Sequence, residues 1–207
     1  YEMCGRDWSS DVCSSDRATA VTHTPGGAVP DDLVRLMAER GTHHIPTLAV
    51  QGDFSRLVAN RSMLDDPLLV AVTTEPLRAA YRSVSDTVPQ LRGWLAWQRS
   101  QMAGNLASVA TLARAGVPML TGTDGGNFGV FQGYSVHHEM ELLVEAGLTP
   151  WDALRAATTH AATFLRQPWG LSAGNEATFL VLEASPLEDI RNTKRIGMVV
   201  QRGKEVK

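Results

Sequence analysis

Short apolar runs alternate along this chain with longer segments of helical periodicity. Residues 18–22 are rich in β-branched side chains and predict a strand, and residues 31–40 carry apolar positions at helical spacing before Gly41. A second strand is predicted at about residues 44–50. Strand, helix and strand within about thirty residues form a βαβ unit, which implies parallel strands with a right-handed crossover.

The next stretch leads to the most informative strand of the chain. Residues 51–88 carry turn signals and scattered apolar positions, and we expect short helices packed over one end of a barrel. Residues 89–115 predict one long helix, and residues 117–120 predict a buried strand that runs directly into Asp124. A carboxylate there either caps a turn or occupies the strand end where α/β barrels place catalytic groups.

The remaining pattern divides into helices and a separate small sheet. Residues 125–133 form a glycine-rich loop, and helices are predicted at residues 136–145 and 150–165. After residue 168 the helical periodicity gives way to short strands. The predicted strands are residues 178–182, 196–201 and 204–206, with a helical turn at 186–190.

The first seventeen residues differ from the rest in composition and lack periodicity. Residues 7–16 resemble a translated sequencing adapter, so we expect residues 1–17 not to be native and the reading frame to enter a truncated gene. A natural amino-terminal tail is the alternative. Both cysteines, Cys4 and Cys13, lie in this segment, so cysteine usage gives no information on a disulfide or a redox compartment.

Composition restricts the function classes. The chain has 207 residues, 43% of them hydrophobic, which suffices for one sizeable core or a domain with a small appendage. A formal net charge of -3 without a basic patch excludes a nucleic-acid partner, and no apolar run is long enough to cross a membrane. No signal peptide is recognisable, but localisation stays open because we expect the native start to be missing.

Two residues stand in the same relation to predicted strands. His23 and Asp124 each follow a short strand directly, so in one parallel barrel both side chains would lie at its carboxyl-terminal face. An imidazole and a carboxylate together suit a divalent metal ion such as zinc. The alternative for His23 is a histidine in a surface loop.

Four motifs from residue 18 onward resemble the metal-dependent amidohydrolase superfamily, in particular its imidazolonepropionase-like and Xaa-Pro-dipeptidase-like members. The motifs are Val21-Thr22-His23, residues 115–118 with Gly122-Thr123-Asp124, residues 137–139 with 141–150 and 153–154, and residues 177–182 with 185–187. The resemblance implies an α/β fold: a partial (β/α)8 TIM barrel, about strands 6 to 8, with part of a small β-sandwich. It assigns residues 18–167 to the barrel and 168–207 to the sandwich.

The resemblance also implies a site. His23 matches a metal-binding histidine, Asp124 matches an aspartate that binds metal and shuttles the proton, and His137 matches a histidine near the substrate. One or two divalent ions, most plausibly zinc, would serve the complete protein. The superfamily's His-x-His pair, its bridging lysine and its fifth-strand histidine would lie before residue 18. The adjacent histidines His43 and His44 cannot replace them, because neighbouring strand residues point to opposite faces.

The sequence therefore predicts part of a metal-dependent hydrolase of C–N bonds in amides, cyclic amides or dipeptides. We expect this chain to be inactive and poorly soluble alone, and its parent could form a homo-oligomer. A non-catalytic barrel that binds a small molecule is the first alternative. A phosphate-binding barrel that uses residues 125–133 is a weaker one, because no lysine or arginine accompanies that loop.

Overall fold

A computed structural model describes residues 2–4 (backbone only), 18–24, 26–85 and 87–206. The strands are β1 (Glu2–Cys4), β2 (Ala18–Thr22), β3 (His43–Ile45), β4 (Phe179–Leu182), β5 (Ile196–Gln201) and β6 (Lys204–Val206). The α-helices are α1 (Asp31–Arg40), α2 (Leu48–Ala59), α3 (Pro67–Val72), α4 (Glu75–Arg82), α5 (Pro89–Arg114), α6 (Ser135–Glu145), α7 (Pro150–Ala157) and α8 (Thr159–Phe164). Two 3₁₀ helices span Arg61–Asp65 and Ile190–Lys194.

The first sheet is parallel and has the order β1-β2-β3. Residues 117–120 extend it, because the His44 N–H donates to the Pro118 carbonyl at 2.9 Å and the Leu120 N–H donates to the His44 carbonyl at 2.9 Å. Met119 makes a single parallel bridge with His44 rather than a full ladder. The predicted βαβ unit and the buried extended segment before Asp124 are thus both present.

The prediction of a strand at residues 44–50 is wrong in its second half. β3 ends at Ile45, the backbone turns through Thr47 at φ 52°, and α2 begins at Leu48. Residues 48–50 are apolar because α2 buries them against the sheet, and so short an apolar run fits a strand or a buried helix equally well.

The adapter-like residues 7–16 lie outside the described residues. Within residues 1–17 the structure describes β1, which pairs in parallel with β2 through Glu2 and Ala18. The expectation that residues 1–17 are not native stays a prediction.

Helices cover the parallel sheet and form the core with it. α1 begins at Asp31 and ends at Gly41, whose φ of 64° suits the residue that follows a helix. The main core joins α1, α2, α5, α6 and α7 to the strands. Its largest contributors are the fully buried Leu48, Val109, Leu112 and Leu143. Among the described helices, including the 26-residue α5, none is apolar and long enough to cross a membrane.

The carboxyl-terminal part forms a second small sheet, as predicted, and its strands are antiparallel in the order β4-β5-β6. Two helical predictions differ in detail. The helix expected over residues 150–165 is broken at Thr158, where φ is -128° and ψ is -89°, and so becomes α7 and α8. The turn expected at 186–190 is followed by the 3₁₀ helix Ile190–Lys194.

Candidate functional site

Three side chains with metal-binding or hydrogen-bonding groups follow adjacent parallel segments. His23 follows β2, Thr47 follows β3 after one residue, and Asp124 follows the segment 117–120. Their φ values are 65°, 52° and 55°, and only Arg166 and Arg202 among the other described non-glycine residues have positive φ. Backbone strain of this kind collects at functional sites, because it persists only where the surroundings enforce it.

His23 is held by both its backbone and its ring. Its N–H donates to the Ile45 carbonyl at 3.0 Å, which continues the β2–β3 pairing by one residue. Its Nδ1 lies 2.7 Å from the Thr47 hydroxyl oxygen. The half-buried imidazole therefore has a fixed place at the carboxyl end of the parallel sheet.

A glycine brings the Asp124 segment against the same region. A Cβ at Gly122 would lie 2.5 Å from Ile45 Cγ2 and 3.9 Å from Thr47 Cγ2, so only glycine permits this approach. His23 contacts Thr47, and Gly122, two residues before Asp124, lies close to Ile45. Both predicted ligands thus follow parallel segments that end on the same side of the sheet.

The Asp124 side chain is exposed, and the hydrogen bonds of the turn that follows are accepted by its backbone carbonyl. Its carbonyl accepts from the Asn127 N–H at 3.5 Å and from Asn127 Nδ2 at 3.0 Å. A turn-capping aspartate normally uses its carboxylate to accept backbone N–H groups. The turn therefore gives little support to a purely capping role for this side chain.

Several backbone N–H groups of the glycine-rich loop that follows already have hydrogen-bond partners within the chain. The N–H groups of Gly126 and Val130 bond to carbonyls within the loop, the N–H of Gly129 donates to the Tyr81 hydroxyl at 3.0 Å, and the N–H of Phe131 donates to Ser135 Oγ at 3.0 Å. A phosphate cradle requires such N–H groups to point at the ligand. This geometry disfavours the phosphate-binding alternative.

Sequence reasoning missed a buried carboxylate that supports the site. Glu139 on α6 is fully buried, and its two oxygens accept from the Leu48 N–H at 2.9 Å and the Ala49 N–H at 2.6 Å. These are the first N–H groups of α2, for which the Thr47 side chain provides no cap. Burial raises the pKa of Glu139 to about 8, while the two N–H donors act in the opposite direction.

A second buried carboxylate joins the same two helices. Asp53 on α2 is 1% exposed, and it accepts from Ser135 Oγ at 3.0 Å and contacts His138 Nδ1 at 2.5 Å. Arg56 Nε lies 3.5 Å from the same carboxylate. The charge is paired and hydrogen-bonded, as a buried carboxylate requires.

The third predicted site residue, His137, lies in the helix layer. It is 4% exposed at the start of α6, and its Nδ1 has no hydrogen-bond partner among the described residues. Burial, with a smaller effect from Lys194, lowers its pKa. The contacts of the described residues do not join it to His23 or Asp124, so its substrate role stays a prediction.

The histidine pair of β3 behaves as strand alternation requires. The half-buried His43 packs its ring 4.9 Å from that of Phe164. His44 is fully buried, its Nε2 lies 3.3 Å from Thr24 Oγ1, and burial lowers its pKa to about 4. The two rings do not converge on one ion.

The donor types at this edge suit a divalent metal, but their number does not complete a site. Within residues 18–24, 26–85 and 87–206, no three His, Cys, Asp or Glu side chains form a group that could hold a metal ion. His23 and Asp124 supply one imidazole and one carboxylate, the donor types of catalytic zinc sites, which use three protein ligands. Two donors are fewer than such a site requires, so the assignment of His23 and Asp124 as metal ligands stays a prediction.

Comparison with known proteins identifies the class. The model of the amidohydrolase family matches residues 14–206, so the chain belongs to the amidohydrolase family. An uncharacterized protein of Mycobacterium bovis is 25% identical over 179 residues, which cover 86% of this chain and 40% of that protein.

Solved structures share the fold. A Xaa-Pro dipeptidase with methionine bound in its active site is 22% identical with a TM-score of 0.59, and the match covers 91% of this chain and 39% of that one. A prolidase complexed with N-methylphosphonate-L-proline is 26% identical with a TM-score of 0.60, covering 91% and 40%. The chain thus spans about two fifths of the length of the proteins that it matches.

Proposed function

We propose that this chain contributes His23 and Asp124 to the metal site of a hydrolase that cleaves C–N bonds. The observation that supports the proposal is that both residues follow neighbouring parallel segments and both have the left-handed backbone conformation. Membership of the amidohydrolase family supports the reaction class. The parallel segments would correspond to about strands 6 to 8 of a (β/α)8 barrel, and β4–β6 to part of a small sandwich.

Each residue has a distinct task in this proposal. His23 would bind a divalent ion, most plausibly zinc, through its imidazole. The bound ion would supply Lewis-acid activation of water and of the scissile carbonyl. Asp124, exposed at the same edge, would bind the ion, take a proton from the attacking water and return it to the leaving nitrogen.

Two relatives suggest the substrate class. One is a Xaa-Pro dipeptidase with bound methionine and the other a prolidase with a phosphonate analogue attached to proline. By analogy, we propose a dipeptide or a small amide as the substrate of the complete enzyme.

The metal donors that this chain carries limit the activity expected of it alone. It spans about two fifths of its relatives, and its described residues provide two of the metal donors. The remaining donors would come from elsewhere in the complete enzyme, so the 207-residue chain alone should be inactive. A non-catalytic binding barrel is less consistent with a strained histidine and a strained aspartate at one edge.

Zinc affinity tests the assignment of the two donors. We expect His23→Gln and Asp124→Asn each to weaken zinc binding by the purified chain at least about tenfold. Loss of a residue that only hydrogen-bonds to a metal ligand already costs about that much, and loss of a ligand should cost no less. His160→Gln and Asp152→Asn provide matched controls and should leave the affinity unchanged. Equal affinity in all five proteins would contradict the assignment, and chelator-sensitive hydrolysis of Xaa-Pro dipeptides by the chain alone would contradict the expected inactivity.

A further inference from the structure

One carbonyl oxygen determines the hydrogen-bond direction of two threonines at the site. The Pro46 carbonyl lies 2.7 Å from Thr47 Oγ1 and 3.1 Å from Thr24 Oγ1. A carbonyl oxygen has no proton to give, so each hydroxyl must donate its single hydrogen to Pro46. Two oxygens at 2.7 Å with no hydrogen between them would repel each other.

The direction of the Thr47 hydrogen bond determines which ring nitrogen of His23 carries a hydrogen. Once Thr47 Oγ1 has donated its hydrogen to Pro46, it can only accept from His23 Nδ1, which lies 2.7 Å away. His23 must then carry a hydrogen on Nδ1. In the neutral imidazole, the lone pair is consequently on Nε2.

We propose that Thr47 is the positioning residue of His23: with the Pro46 carbonyl it fixes the Nδ1–H tautomer, so that Nε2 is the nitrogen able to bind a metal ion. The role of that nitrogen rests on the proposed function, whereas the tautomer assignment rests only on the hydrogen bonds. A metal-binding histidine generally donates its other ring N–H to an acceptor, which orients the ring and selects the tautomer.

The backbone at Thr47 supports a role for its hydroxyl. A φ of 52° lies in the left-handed region, which is unfavourable for a β-branched residue such as threonine. Glycine or asparagine would adopt this conformation more readily, but neither has a hydroxyl to link Pro46 with His23. The β-branched side chain that makes this backbone conformation unfavourable thus also carries the hydroxyl that links the Pro46 carbonyl with His23.

A distant carboxylate holds this threonine in place. Glu139 accepts the N–H groups of Leu48 and Ala49, the two residues directly after Thr47. It therefore fixes the start of α2, and with it the position of the Thr47 hydroxyl. The chain of contacts runs from Glu139 through the α2 amino terminus and Thr47 to the imidazole of His23.

Nitrogen NMR of the histidine rings tests the proposal directly. In the metal-free chain at about pH 8, where an ordinary imidazole is neutral, long-range ¹H–¹⁵N spectra should show His23 protonated at Nδ1 and unprotonated at Nε2. Thr47→Ser should retain this pattern because it keeps the hydroxyl. Thr47→Val should lose it, with the hydrogen moving to Nε2. Thr24→Val is the matched control: it removes the hydroxyl beside His44 and should leave the His23 pattern unchanged.

Zinc binding provides the second readout. Thr47→Val should weaken zinc binding about tenfold, while Thr47→Ser stays close to the wild-type chain. A wild-type His23 with its hydrogen on Nε2 overturns the proposal, as does a Thr47→Val chain that keeps the Nδ1–H form. If Thr47→Val does not fold, Thr47→Ala and the wild-type tautomer decide. If the tautomer is as expected but His23→Gln binds zinc normally, the tautomer assignment holds and the proposed function fails.

Discussion

Individual polar residues in this chain are defined by partners that lie far away in sequence. Glu139 caps a helix that begins 91 residues earlier, and the ring of His23 depends on a hydroxyl 24 residues later. Asp53 reaches Ser135 across 82 residues. The candidate site is therefore supported by long-range hydrogen bonds between elements that the apolar pattern treats as independent.

Glu139 should make stability depend on pH in a defined direction. Burial raises the pKa of its carboxyl in the folded chain to about 8 from the ordinary value of 4.5. Between these values the folded chain keeps a proton that the unfolded chain has lost, so this contribution to stability is complete below about pH 4.5 and declines towards pH 8. The free energy of unfolding of the wild type minus that of Glu139→Gln should fall as the pH rises from about 5 to about 8.

The glutamine variant also serves as the control for other titrating groups. Burial lowers the pKa of His44 to about 4, so His44 also changes stability at acid pH, but it does so in both proteins and cancels in the difference. Urea unfolding at several pH values gives the two free energies. A difference that stays constant, or that increases with pH, would contradict the burial argument for Glu139.

Elements of this chain differ in how far the sequence predicts them. β2, β5 and β6 have the bounds that the sequence predicts, and helical periodicity followed by Gly41 predicts α1, because these signals are local. The sequence pattern predicts a strand where α2 begins at Leu48, because the first residues of this helix are apolar and its cap, Glu139, is distant in sequence. Pro46 is a local sign that the strand ends early. Because the sequence pattern continues the strand past Pro46, it gives no indication of the role of Thr47.

The same contrast holds for the candidate site. The sequence proposes His23 and Asp124 because each follows an apolar strand, and their role as metal ligands stays a prediction. The contacts around them could not be predicted, since they consist of a Thr47 hydroxyl, a Pro46 carbonyl and the close approach of Gly122 to Ile45. No periodicity encodes such contacts.

The loop that follows Asp124 rests on α2, and Gly129 should be sensitive to substitution. A Cβ there would lie 2.6 Å from Phe54 Cα and 2.7 Å from Phe54 N, which are backbone atoms that cannot move aside easily. Gly126→Ala is the matched control, because Gly126 also has positive φ but faces open space. We expect Gly129→Ala to lower the free energy of unfolding by about 1–3 kcal/mol more than Gly126→Ala, measured by urea unfolding. Equal effects would contradict the packing of this loop on α2.

At the scale of the whole molecule, a parallel sheet with its helices carries the candidate site, and an antiparallel sheet lies at the carboxyl end. The small antiparallel sheet exposes apolar side chains, a surface typical of contact with further structure. Leu180 and Val206 in the small sheet are 49% and 46% exposed. These features agree with a chain that spans two fifths of its relatives, and the poor solubility expected from the sequence stays a prediction.

The location of a bound metal ion tests the central claim most directly. Mn²⁺ is paramagnetic and accepts imidazole and carboxylate ligands, so it broadens the NMR signals of residues close to its site. Titrated into the labelled chain, it should broaden the signals of His23, Thr47 and Asp124 first, and Asp124→Asn should abolish that selective effect. Broadening centred on His137 and His138, or spread without preference over the exposed carboxylates, would contradict a metal site at this edge of the sheet.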